Sequence, residues 1–385
     1  MDPFRAHHAP NNNTSDRYIG KLPRDMHPKP RLNREVERHV PSPQKTPSRQ
    51  FEQSIQERKQ ILSLHAVIPL AIQSERHYTP ATVLDAPGAR DDYYVSVLDW
   101  SAQGPLCVGL AQKLFLWAPE RVATLYAAPP QDYISTAAFS PDGVRLAVGT
   151  DRGDLLVGSP AMLTCMATNT SVACARWHST NSLCTGTKNG RVLFWDVRQS
   201  AETHETHVHR DRLVGMACSS DGVQFATGCN GHLVCLWDTR KLAHPLFKLD
   251  HHGSAVRALG FMSNTLVTGG GRQDGQISFV NTASGKVVKN IETMDQVCAI
   301  SVHYNQILST HARTNDQMVL WDCKRLDKVV QRASFHGHES RPMQVAQCPV
   351  TGRVATMSGD ETLKLWDLFD CPKKAAKPAF KYSIR

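Results

Sequence analysis

Histidine, cysteine, serine and threonine are the residue types here whose spacing could support chemistry, and most of their patterns lead away from catalysis. His204, His207 and His209 sit in HETHVH, a spacing from which imidazoles can hold a metal. They fall in a link between apolar segments, so a solvated loop is expected rather than a metal site. GGGRQDG (269–275) is glycine-rich, but no helix follows to offer its N-terminus to a phosphate, so it reads as a turn between strands. The eleven cysteines include no CxxC pair and begin only at Cys107, in apolar alternating stretches. Buried free thiols are expected, not disulfides or a thiolate zinc site. GxSxG, P-loop, HExxH and kinase signatures are all absent. The sequence therefore predicts no enzyme, no metal and no cofactor. Two modification motifs remain. In SPQK (42–45) and TPSR (46–49), Ser42 and Thr46 each precede proline and have a basic residue three positions on. That is the pattern read by proline-directed cyclin-dependent kinases, and each phosphate would bring about −1.5 to −2 charge into a basic segment.

The background to these residues is a chain of 385 residues with 41% apolar composition, enough for a sizeable core. No apolar run is long enough to span a bilayer, and the N-terminal stretch has no signal-peptide core, so a soluble intracellular protein without membrane contact is expected. The net charge of +9 is carried by the ends. Residues 1–60 hold 12 Lys/Arg against 7 Asp/Glu, and residues 371–385 hold five basic residues and no acid, leaving −1 for 61–370. A nucleic-acid-binding body would carry its own basic face, so nucleic acid is not an expected partner. Residues 1–76 are proline-rich at first and poor in aromatics, which predicts a disordered tail with one short helix near 51–65. A basic tail is predicted over 371–385.

Between them, over 77–370, short apolar alternations are separated by turn signals such as SPDG (140–143) and SSDG (219–222). Strands end on Trp-Asp at Trp195, Trp237, Trp321 and Trp366, on Trp117 in KLFLWAP, and on degenerate copies at Gly158 and Val280. Those positions are separated by 41, 37, 42, 43, 41 and 45 residues, and seven units of about 40 predict an all-β, seven-bladed WD-repeat propeller. Trp100 and Trp177 are assigned to inner strands. Ring closure is assigned to 77–87, with Val83 and Leu84 both pointing inward. Gly337-His338 is the one Gly-His pair intact at the repeat's usual place ahead of a Trp-Asp, so the blades are expected to rely on apolar packing, mostly without the buried His-Asp network of ideal repeats. A propeller is a scaffold, so an interaction module is expected.

Several strings resemble the Fizzy and Fizzy-related family, WD-repeat co-activators of the anaphase-promoting complex. They are LDAPGARDDYYVSVLDWS (84–101), LAVGTDRGD (146–154), LVTGGGRQDG (266–275), DQVCAI (295–300), QMVLWDC (317–323) and SGDETLKLWDLF (358–369). The resemblance implies a substrate-recruiting co-activator of that ubiquitin ligase in nucleus and cytoplasm, with cyclin-like degron-bearing substrates and a cyclin-dependent kinase among its partners. DRYIGKL (16–22) is similar to the family's C-box, DRYIPxR, through Asp16, Arg17, Tyr18 and Ile19, while Gly20 and Leu22 depart from it. Ile61 and Leu62 in ILSL resemble a second docking helix. The ending Ile384-Arg385 resembles the tail captured by a tetratricopeptide-repeat subunit, where a carboxylate and a guanidinium are presented together beside an apolar side chain. Asp99 and Glu361 match an acidic pair that receives the arginine of an RxxL destruction box, and are expected to converge between blades one and seven. Asn230, Gln296 and Arg341 match polar contacts for a KEN degron. His232 and Arg272 stand where the family has Asn and Thr, which implies a specialised member, for example in meiosis. The rival reading is a WD-repeat scaffold with no role in degradation.

Overall fold

The computed structural model describes residues 6–7, 78–168, 170–312 and 316–369. Seven antiparallel sheets stand around a channel. Their inner strands are Leu98–Trp100, Ile134–Phe139, Val172–Trp177, Leu213–Cys218, Val256–Met262, Gln296–His303 and Pro342–Gln347. Inner strands are covered on both sides by neighbouring blades, so they read as continuous small or apolar runs; all six residues of ISTAAF in blade 2 are buried. Outer strands such as Arg121–Ala127 face water and have no fully buried residue. The second strand also feels the neighbouring blade. A Cβ at Gly228 would overlap the Val256 carbonyl oxygen of blade 5, so only glycine permits this approach.

Each Trp-Asp position closes a third strand, as at Arg191–Asp196 and Val234–Asp238, and a fourth, outer strand follows it. A sequence unit therefore straddles two blades. Blade 7 takes its outer strand from the other end of the ring: Thr82–Asp85 pairs antiparallel with Thr362–Trp366, and Ala6–His7 adds a short bridge outside it. Leu84 is fully buried, whereas Val83 is only half-buried. Successive side chains on a strand point to opposite faces, so both could not turn inward as expected.

The buried histidine network is more extensive than the lone Gly-His pair implied. In blade 7 it is complete. His338 Nδ1 lies 3.1 Å from Asp360 Oδ2, its Nε2 is 2.7 Å from Thr356 Oγ1, and Trp366 Nε1 donates to the same hydroxyl at 2.8 Å. Blade 5 keeps His252 with Thr268 and Asp274, and blade 4 keeps His209, Thr227 and Trp237. Gly231 stands in blade 4 where the aspartate would be, and His209 Nδ1 is buried without a partner. The HETHVH expectation is thereby corrected. His204 and His207 belong to the outer strand Ala201–His207, and His209 is buried at 3% exposure. No metal-binding cluster occurs among the described residues.

The closing strand generates a paired test. Leu84→Ala should cost about 2–5 kcal/mol in urea unfolding, and Val83→Ala under about 1 kcal/mol. Equal losses would contradict the assigned facing. Burial also holds His209, His251 and His311 down at about 4. An unfolded histidine titrates near 6.5. Their contribution to stability is therefore complete above about pH 6.5 and is lost as pH falls toward 4. His209→Gln should show a smaller drop in unfolding free energy between pH 7 and pH 5 than the parent.

Candidate functional site: the upper channel face

Antiparallel order sorts the loops onto two faces. Turns from inner to second strand all lie on one face, here the lower. Turns from second to third strand, and the links between blades, lie on the upper face. Glu361 occupies the turn between Val354–Ser358 and Thr362–Trp366 in blade 7 and is therefore upper. Asp99 precedes the first turn of blade 1, pairs with Cys107 and lies at the lower mouth. The expected convergence of these two carboxylates does not occur. Each antiparallel turn reverses the chain, so one turn separates opposite ends of a blade. Asp99 Oδ2 accepts the Phe139 N–H at 2.7 Å, and burial raises its pKa. Among the described residues its ion-pair partner is Arg176, at 3.8 Å.

The other four residues assigned to degron contacts share the upper face, drawn together by the segment leading into blade 1. Tyr94 donates from its hydroxyl to Asn230 Oδ1 at 2.9 Å, and Asn230 Nδ2 donates to Asp211 at 3.0 Å. The Arg212 guanidinium stacks over the Tyr94 ring at 4.7 Å. Gln296 opens the inner strand of blade 6 beside the buried Tyr93. Arg341 Nε donates to Asp91 at 2.6 Å. Glu361 Oε1 accepts the Gly88 N–H at 3.1 Å, while Asp91 packs against Gly359. Asp91, Asp92, Glu339 and Glu361 thus gather around the joint of blades 7 and 1, with Arg341 among them. His232 pairs with Asp250 at 2.7 Å, and Arg272 lies in the corresponding turn of blade 5.

Beneath this surface lies Arg257, whose role sequence reasoning missed. The ladder of Val256–Met262 slips between Val256 and Ala258, and such a bulge re-aims the extra side chain, here Arg257. Its Nη1 donates to the carbonyls of Cys298 and Met343 at 2.6 and 2.7 Å. Its Nη2 donates to the Val95 carbonyl at 2.7 Å and to Gln344 Oε1 at 3.2 Å. One guanidinium from blade 5 therefore ties together blades 6, 7 and 1. The available signal was a charged residue inside the apolar run AVRALGF.

Comparison with known proteins supplies the lineage. A family model described as the CDC20/Fizzy WD40 domain matches residues 84–366. This chain belongs to the CDC20/Fizzy family. It is 33% identical over 334 residues to the protein named cell division cycle 20.5, cofactor of APC complex, of Arabidopsis thaliana, covering 81% of this chain and 73% of that one. WD repeat-containing protein slp1 of Schizosaccharomyces pombe is 32% identical over 316 residues, covering 78% and 64%. A chain in the crystal structure of a mitotic checkpoint complex superposes with a TM-score of 0.73 at 30% identity, covering 79% of this chain and 99% of that chain. Members of the family are non-catalytic WD-repeat co-activators, and this chain is not an enzyme.

Glu361 holds φ at 58°, which ordinarily costs a non-glycine residue about 1–2 kcal/mol. Its bond to Gly88 returns about 0.5–1.5 kcal/mol. Glu361→Gly removes both effects, so its melting temperature should stay within about 3 °C of the parent. A larger fall would make this carboxylate a structural element.

Proposed function

We propose that this protein recruits substrates to the anaphase-promoting ubiquitin ligase, holding a degron on the upper face and the ligase with its terminal segments. The carrying observation is the acidic gathering at the joint of blades 7 and 1, in a chain whose relatives are described as cofactors of that complex. An arginine from an RxxL peptide would sit by Glu361, with Asp91 and Asp92 on the same face in place of Asp99. Asn230, Gln296 and Arg341 would read a KEN-type segment across Tyr93 and Tyr94. Ligase docking is assigned to Asp16, Arg17, Tyr18 and Ile19, to Ile61 and Leu62, and to Ile384 and Arg385, all outside the described residues. Ser42 and Thr46 lie there too, as sites at which a cyclin-dependent kinase would weaken engagement by adding negative charge. Action in nucleus and cytoplasm on cyclin-like substrates, in a meiotic or tissue-restricted setting, completes the proposal.

Two measurements on the full chain test it. Glu361→Lys should weaken RxxL-peptide binding at least tenfold with the fold intact, and Asp99→Asn should leave binding near the parental value. Wild-type affinity in Glu361→Lys would reject this site. Deleting Ile384 and Arg385 should reduce co-purification of ligase subunits without moving the melting temperature. A scaffold with no role in degradation would be indifferent to that deletion.

A further inference from the structure

The lower mouth of the channel opens into a cavity of about 570 Å³ whose wall includes Asp99, Phe139, Arg176, His178, Asp221 and Gln347. Positive charge is short there. Asp99 is only about 20% exposed, and the cation paired with it among the described residues, Arg176, lies 3.8 Å away, too far for a hydrogen bond. Asp221 is exposed on its turn, where its Oδ1 accepts from the Ser219 hydroxyl and the Val223 N–H. His178 Nδ1 is buried beside the cavity without a partner.

The described chain ends on this same face. The third strand of blade 7, Thr362–Trp366, runs from upper to lower face, and Leu368 and Phe369 follow it, both buried. The Phe369 ring stacks on His303 at 4.9 Å. His303 Nδ1 accepts from Gln347 Nε2 at 2.6 Å, and Gln347 is part of the cavity wall. The chain therefore leaves blade 7 two side-chain contacts from the cavity. Beyond it, residues 371–385 carry Lys373, Lys374, Lys377, Lys381 and Arg385 with no acid, and Phe380 and Tyr382 among them. Sixteen residues reach about 50 Å when extended, against a radius of gyration of about 19 Å for a domain of this size.

We infer that residues 371–385 dock intramolecularly in the lower mouth, a basic side chain standing by Asp99 and Asp221 and an aromatic one against the Phe139 side of the wall. A tail held there withholds Ile384 and Arg385 from a receptor; that consequence alone rests on the co-activator reading. The docking is testable without any ligase. A photo-crosslinking phenylalanine is placed at Phe380 of the full chain, and light and isotopically heavy protein are mixed before irradiation. Crosslinks should map to Trp177–Thr180 or Ser219–Gly222, within single molecules. Their yield should fall at least fivefold in Asp221→Lys, and likewise when the four tail lysines are changed to Glu. Both variants alter exposed or terminal positions, and an unchanged melting temperature verifies the fold. Crosslinks confined to outer strands, links between light and heavy molecules, or a yield indifferent to both charge reversals would each overturn the inference.

Discussion

The ring depends on a buried guanidinium bonded to carbonyl oxygens. A propeller must hold seven inner strands around a channel that no continuous sheet crosses, so cross-channel contacts fall to side chains. Arg257 supplies them with four hydrogen bonds to groups of blades 6, 7 and 1. A buried charge without compensation is costly, and here three backbone carbonyls and one amide oxygen turn their negative ends toward it. Burial pulls its pKa down, yet an arginine keeps its charge, so the carbonyls remain held. Gln344 Nε2 adds a second donor to the Val95 carbonyl, at 2.7 Å, which fixes the segment leading into blade 1 from both sides.

That segment connects core to surface. Val95 is fixed by Arg257, Tyr94 reaches Asn230, Tyr93 packs over the guanidinium, and Asp91 holds Arg341. Residues from blades 1, 4, 6 and 7 thereby form one upper surface, pre-set before any ligand arrives, which lowers the ordering cost of recognition. The two mouths differ in chemistry. The upper one gathers several carboxylates around one arginine, and the lower one sets a partly exposed carboxylate in the wall of a cavity.

Much of this was legible in the sequence, because the third strand of each blade is an apolar alternation closed by a large ring or its relic. Ring closure by 77–87 was legible for the same reason. Misreadings arose where one residue or one turn decides geometry. Val83 and Leu84 are adjacent, so period two separates them. Asp99 and Glu361 are on neighbouring blades, but Asp99 comes before the first turn and Glu361 within the second, which places them at opposite ends. His209 is hidden behind two outer-strand histidines, His204 and His207. Its spacing ahead of Trp237 equals that of His338 ahead of Trp366, and that spacing, not a preceding glycine, marks the network. Arg257 was overlooked because a bulge, invisible in a strand pattern, turns a charge inward.

Native-state hydrogen exchange of the full chain carrying Arg257→Lys addresses the clamp most directly. An ammonium has three donors and no fork with which to reach carbonyls on three blades. Exchange should accelerate at least tenfold at amides of residues 93–97, 298–300 and 343–345, while the outer strands, such as Arg121–Ala127, exchange at their parental rates. Unchanged protection across the inner strands of blades 6, 7 and 1 would contradict the claim that this guanidinium holds the upper face together.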